Sequence, residues 1–280
     1  MKNKFVIVLC CLLLVGGASF AVGLFLGGET SMWVSKDGVS FETEDEVEMV
    51  TQTLSSDIKN IDINIDISEE ISVISGDTFT VSYDKAKYEI DIDDSALKVT
   101  QINDVFYNNL FLNFGINLSN NFNAVTVTIP EGMVIDNLNV NASVNNLEIS
   151  NVNASKLDLY VNVGKVEIEN SNFIDAYVEV DIGDVSIENC EFENNLKAIA
   201  DIGDIDLDDC NILASAEFEI DIGNLELELI GSENDYTIKA KIDIGNFEMD
   251  GTKLDNEITF GNGNKKITIE VDTGNCDLDF

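Results

Sequence analysis

Apolar and polar residues alternate along most of this chain, and one alternating unit recurs. The segments VEVDIGDVSI, AIADIGDIDL, FEIDIGNLEL and AKIDIGNFEM place an Asp-Ile-Gly step at Asp181, Asp201, Asp221 and Asp243, spaced 20, 20 and 22 residues apart. A weaker copy, YVNVGKVEI, puts Asn162 in the same place 19 residues before Asp181, and EVDTGNCDL puts Asp272 there 29 residues after Asp243. Self-similarity at this period is the mark of a repeat architecture, in which each unit is too small to bury its own apolar face and must stack on its neighbours. Apolar residues flank each Asp (Val180 and Ile182, Ile220 and Ile222) and recur after the Gly at Val185 and Ile187, Ile205 and Leu207, Leu225 and Leu227. This is period two, so the pattern predicts strands with one buried and one wet face, the flanking isoleucines included in the buried set. Phe173, Phe192 and Ile212, eleven residues past their Asp equivalents, line a second inner wall. No helical period runs through the units. The predicted fold is all-β, a parallel β-solenoid of ~20-residue repeats with like residues stacked about 4.8 Å apart.

The first half has its own pattern. Phe5 to Gly28 form 24 consecutive residues without a charge, roughly 36 Å as a helix and long enough to span a bilayer. Lys2 and Lys4 precede this run and acidic residues follow it, which places the N-terminus in the cytoplasm and the rest outside. A cleaved signal peptide cut near Ser19-Phe20-Ala21 is the competing reading, but the apolar run continues past that point. The organisation expected is therefore a cytoplasmic stub (1–4), a transmembrane signal-anchor helix (5–28), an acidic extracytoplasmic linker (29–58) and a repeat domain (59–280). Within the last, IDINIDI over 61–67, Thr78–Tyr83, Tyr88–Ile92 and Leu97–Ile102 read as strands, with a Gly76-Asp77 turn. Val105 to Phe122 is uncharged, rich in aromatics and full of Asn; Phe106, Tyr107, Phe111 and Phe114 make it a candidate partner patch, or else a cap at the end of the stack.

Charge narrows the classes. The chain carries 53 acidic residues against 15 basic ones, all lysine, for a formal charge of −38, with no histidine and no arginine. That excludes nucleic acid and anionic lipid as partners, since both need basic patches. Five cysteines make no disulfide framework: Cys10 and Cys11 lie in the apolar segment, Cys190 and Cys210 fall on adjacent rungs where packed thiols are favoured over a bridge, and Cys276 is a core position.

The order of features resembles a β-strand-repeat family of unknown function, common in Gram-positive bacteria and labelled "putative adhesin". The residues that carry the likeness are the Lys-bearing N-terminus, the span ending in Gly27-Gly28, IKNIDINIDISEEISVISGDTFTVSYD, VTVTIPEGMVIDNLNV and the serial (D/N)-I-G-(D/N) strands. The resemblance implies a membrane-tethered extracytoplasmic module, and some members are similar to proteins encoded near cell-envelope stress systems. It brings no catalytic residues.

Three chemistries compete for the stacked acids. A polysaccharide-cleaving enzyme would pair carboxylates among Asp181, Asp184, Asp201 and Asp204, but Asn224 and Asn246 replace them in later repeats and no histidine shuttles protons. A calcium ladder would use Asp181, Asp201, Asp221 and Asp243, like charges about 5 Å apart that a cation relieves. The reading the residues favour is neither: a non-enzymatic surface module without cofactor that binds a wall polymer or a membrane or surface protein. An accessory regulator of an envelope stress system, acting through a membrane partner, is the alternative.

Overall fold

The computed structural model describes residues 33–35, 38–40, 49–93, 95–102 and 124–280. The segments read as stub and transmembrane anchor (1–4 and 5–28) lie outside the described residues, as does the patch of Phe106, Tyr107, Phe111 and Phe114. Among the described residues no helix is long and apolar enough to cross a membrane. Trp33–Ser35 and Gly38–Ser40 pair antiparallel as a small hairpin belonging to a separate compact unit.

From Met49 onward the strands join one hydrogen-bonded sheet that closes on itself around a single apolar core. Each repeat supplies two strands. The long ones are Asn153–Val163, Asn172–Ile182, Glu191–Ile202 and Ser215–Ile222; the short ones are Val166–Glu169, Val185–Glu188, Ile205–Ile212 and Leu225–Leu229. Equivalent strands stack parallel in two walls. Val161 sits beside Val180, Val180 beside Ala200 and Ala200 beside Ile220 on one wall; Ile168, Ile187, Leu207 and Leu227 follow each other on the other. All of these are buried. The β-branched side chains that dominate the columns suit a pleated surface packed on one face. Phe173 and Phe192 stack with ring centroids 5.9 Å apart, and Ile212 is in register with Phe192, so the expected second inner column is present.

Two corners join the walls. At one, Gly164, Gly183, Gly203 and Gly223 take φ of +155°, +144°, +149° and +156°, which side-chain-bearing residues rarely adopt. A Cβ on Gly203 would stand 1.8 Å from the carbonyl oxygen of Gly183, and one on Gly183 would stand 1.7 Å from that of Gly164. The layers touch backbone to backbone there. At the other corner, Asn151, Asn170, Asn189 and Asp209 are left-handed with φ between +49° and +58°, a conformation that Asn and Asp tolerate best among residues with a Cβ. The next residue closes this corner: Ser171 Oγ donates to Glu169 O at 2.7 Å, Cys190 Sγ to Glu188 O at 3.2 Å and Cys210 Sγ to Asp208 O at 3.4 Å. Serine and cysteine are interchangeable in that column because each is small and brings one donor. The described cysteines Cys190, Cys210 and Cys276 are free and buried.

The layers do not stack in chain order at either end, which corrects the simple tandem expectation. Lys265–Thr273 lies between Ser215–Ile222 and Tyr236–Ile244, parallel to both, so Val271 stands between Ile220 and Ile242. The chain first builds the outer layer, turns back through Thr252–Leu254 and Glu257–Gly261, which run antiparallel along its edge, and then enters the slot behind it. The other end is built alike. Asn60–Gly76 is held between Val134–Ser150 and the pair Ala96–Gln101 and Ala124–Pro130, all parallel to it. Tyr88–Asp93 and Thr80–Asp84 then run antiparallel outside, and Met49–Thr53 runs antiparallel to Thr80–Asp84. Met49–Thr53, Leu54 and Ile58 thus bring part of the acidic 29–58 stretch into the packed unit. The physical reason is edge protection: a strand tucked behind a short antiparallel hairpin leaves no long row of free N–H and C=O groups.

Two outcomes follow from this packing. Gly203→Ala forces a backbone clash and is expected to cost about 3 kcal/mol or more, a fall in Tm of roughly 10 °C. Gly132→Ala, at φ +71° with nothing within 4 Å, should cost only about 1 kcal/mol; equal losses in thermal unfolding would refute the corner argument. Burial pushes the Cys190 thiol up to about 11 and Cys210 up to about 12, so native protein at pH 8 should leave both unmodified by a thiol reagent that labels them fully in denaturant.

Candidate functional site

The repeated corner brings together the residues that the chain spends most consistently. Its isoleucines are placed differently from the alternation rule. Val180, Ala200 and Ile220 before the Asp are buried, but Ile182, Ile202 and Ile222 after it are 49%, 48% and 54% exposed. The strand ends there: Ile182 stands at the apex, one residue before the bend at Gly183, with no opposite wall to face. This overturns the expectation that both flanking residues point inward. They remain in register even so. Val144, Val163, Ile182, Ile202 and Ile222 follow one another layer by layer, so their exposed side chains form a continuous apolar ridge. Thr273 occupies the next layer, and Ile244, 68% exposed, the one after.

Carboxylates flank the ridge on both sides at the Ile182 and Ile202 layers, and the two rows do different things. Past the Gly, Asp184 Oδ1 accepts the backbone N–H of Asp204 at 3.0 Å, and Asp204 Oδ1 accepts that of Asn224 at 2.6 Å. The row continues with amides: Asn224 Oδ1 accepts from Asn275 N and Asn275 Oδ1 from Asn246 N, both at 3.1 Å. Any Asx side chain does this work, which is why Asp gives way to Asn along the row. Asp184 and Asp204, two of the candidate acid–base residues, are therefore built into the scaffold.

Before the Gly, the structure brings Asp181, Asp201 and Asp221 into adjacent layers, as the ladder reading expected. Asp243 does not follow Asp221; the layer carrying Asp272 separates them. Asp243 also faces Lys241, whose Nζ lies 3.1 Å from it and 3.0 Å from Glu270. The four-residue calcium set is thus not one contiguous ladder. A different acidic group forms at the opposite corner, where oxygens of Asp208, Asp209 and Glu228 lie within 4.8 Å of one another, all three residues exposed. A shallow depression of about 400 Å³ near the hairpin edge is lined by Lys239, Lys241, Glu257, Thr268 and Glu270.

Two features escaped the sequence reading. The outward isoleucine has a signal, its place immediately before a corner glycine. The left-handed corner is written as Asn-Ser, Asn-Cys and Asp-Cys at 170–171, 189–190 and 209–210.

Like charges in register shape the titration. Glu148 is in register with Glu167, and Asp206 with Glu226. Burial, with Glu70 next, holds Glu148 above the usual carboxylate range. Burial and then Asp208 do the same for Asp206, and a hydrogen bond with Asp208 does so for Glu228. Glu217 is lowered by its hydrogen bond from Lys197. A raised carboxyl binds its proton more tightly folded than unfolded, so its contribution is present at low pH and lost as pH rises through the folded value; Glu217 acts in the opposite sense. With three raised groups against one lowered, Tm should rise as pH is brought from 7 down to about 5. A Tm that falls steadily over that interval in a calorimetric series contradicts this balance.

No curated protein matches the chain. Among solved structures, one described as a putative cell adhesion protein from Clostridium sporogenes ATCC 15579 is 14% identical, with 83% of this chain and 98% of that one covered and a TM-score of 0.38. Another, described as a putative adhesin from Bacteroides fragilis NCTC 9343, is also 14% identical, with 89% of this chain and 100% of that one covered and a TM-score of 0.43. The family model for Toastrack DUF4097 matches residues 58–279, which is nearly the whole packed unit, and this chain belongs to that family.

Proposed function

We propose that this chain is a membrane-anchored extracytoplasmic β-solenoid that acts as a non-enzymatic, adhesin-like surface module and binds a wall polymer or a surface protein. The observation that carries the reading is the repeated corner, where a backbone-to-backbone stack holds like side chains outward at a fixed interval. Such a surface suits recognition of extended partners, because the scaffold loses no freedom when the partner aligns with it. The acids themselves speak against catalysis. Asp184 and Asp204 are committed to backbone N–H groups, and the composition offers neither histidine nor arginine. The anchor rests on the uncharged run from Phe5 to Gly28, with Lys2 and Lys4 on its cytoplasmic side.

The test uses the tagged full chain in cells. Protease added to intact cells lacking an outer membrane, or to spheroplasts, should degrade the repeat domain, and the detergent-solubilised chain should co-sediment with isolated cell walls. A protected repeat domain, or recovery in the soluble fraction, overturns the anchored reading. Reproducible co-purification with a sensor kinase or transporter, without wall binding, replaces it with that of an accessory regulator of an envelope stress system.

A further inference from the structure

The exposed ridge calls for an explanation that scaffold needs do not supply. The corner needs its glycine and its Asx residue, whereas the side chains of Ile182, Ile202 and Ile222 leave about half their surface to solvent. In so acidic a chain, four consecutive layers from Val163 to Ile222 nevertheless present half-exposed branched apolar groups in line. Contiguous apolar surface rimmed by polar groups marks a contact site.

The rim says what kind of contact. Asp181, Asp201 and Asp221 run along one side of the ridge; Asp184 and Asp204 run along the other, opposite its central layers. Farther on, the second row turns to the uncharged Asn224, Asn275 and Asn246, and the ridge is broken by Thr273. Negative charge and apolar surface therefore coincide over the Ile182, Ile202 and Ile222 layers, while the Val163 layer is bordered by Asn162 and by Lys165, which pairs with Glu167. A second copy would bring carboxylate rows against carboxylate rows on a chain of net charge −38. An anionic polymer or an anionic lipid surface would meet the same repulsion. The complement is a cationic partner with an apolar stripe.

The spacing decides its conformation. Layers of a parallel sheet are about 4.8 Å apart, so four layers span roughly 14 Å. Same-face residues of an extended strand recur about every 6.7 Å and drift out of step by roughly 6 Å over that distance. Turns of an α-helix recur every 5.4 Å and drift by only about 2 Å. We propose that the ridge from Val163 to Ile222 is a docking seat for a lysine- or arginine-rich amphipathic helix of a partner protein. Its apolar stripe lies along the isoleucines and its cations reach the flanking aspartates. The inference rests on the surface-module reading and names the partner chemistry that the module takes.

The probe is a fluorescent synthetic peptide of leucine and lysine, about 16 residues long and thus roughly 24 Å as a helix. Its leucines are set on one helical stripe, and a control of the same composition has them scattered. Anisotropy is measured with the full chain in zwitterionic nanodiscs, with empty discs subtracted. The striped peptide should bind the unaltered chain about tenfold or more tighter than the scattered one. Ile182→Thr, Ile202→Thr and Ile222→Thr together keep the β-branched shape and should abolish that preference. Val134→Thr, at an exposed apolar position outside the ridge, should not. Asp181→Asn, Asp201→Asn and Asp221→Asn should weaken binding and flatten its salt dependence. Equal binding of both peptides to the unaltered chain overturns the proposal without recourse to any variant. So does unchanged binding by the triple threonine chain, or a dimer in sedimentation that the threonines dissolve. An unaltered chain that is protease-accessible on cells and co-sediments with walls but shows no peptide preference would sink the helix seat alone; an unaltered chain that is protected on cells and fails to co-sediment would sink the surface module.

Discussion

The close approach of backbone to backbone at the glycine corner is the constraint on which the remaining architecture depends. A carbonyl oxygen of one layer occupies the space where the next layer would carry a Cβ, from Asn145 under Gly164 through Gly223 under Gly274. Because the corner is that tight, the two walls close on each other without a loop. The interior then has room for inward columns and little else, chiefly Val, Ile, Leu and Ala with aromatic columns such as Phe173 and Phe192. The same tightness turns the residue before the glycine outward. The buried core and the exposed ridge thus have one cause, a strand that must end where the layers touch.

Charge is distributed around this constraint rather than against it. Asp184 and Asp204 accept a backbone N–H from the layer above, so their charge is placed where a donor already stands. Lys197 holds Glu217 at 2.7 Å and Glu219 at 2.8 Å across one layer, and Lys241 joins Asp243 to Glu270. Elsewhere acids stack on acids, and burial with like-charge repulsion raises Glu148 and Asp206. The stack tolerates this because these acids stand on the outer walls beside water, whose high dielectric weakens repulsion over one layer without abolishing it.

How much of this was legible follows from what a pattern can encode. Period two assigned Val180, Val185 and Ile187 to the core, and the repeat length placed like residues in line, because side-chain alternation and layer stacking both leave a trace in linear order. It misassigned Ile182 because alternation holds only while a strand continues, and the bend removes the wall that the residue would have faced. Layer order left almost no trace in the sequence. Nothing about Val271 tells a reader that it will insert between Ile220 and Ile242, since any strand of the right length and polarity fits the slot. The 29-residue gap before Asp272 is the one trace, and it records the hairpin of Thr252–Leu254 and Glu257–Gly261 that makes the insertion possible. The left-handed Asn170, Asn189 and Asp209 were written plainly, each followed by a small donor, but a corner without glycine draws less notice than one with it.

The capping of both ends bears on how such a module meets other molecules. A stack of parallel strands offers two routes to a partner: adding a strand at an open end, or presenting side chains along its length. Here the ends are occupied by antiparallel pieces of the same chain, with five-residue Met49–Thr53 at one end and Glu257–Gly261 at the other. Short antiparallel borders make poor templates for strand addition. The surface left open to a partner of the proposed module is the long dimension of the stack, where interval and direction are set by backbone pairing. On that dimension the corner differs from both walls in presenting apolar and charged rows side by side without alternation. In a fold that blocks its ends and repeats its corner, the spacing of the layers is the feature that the proposed module would offer a partner.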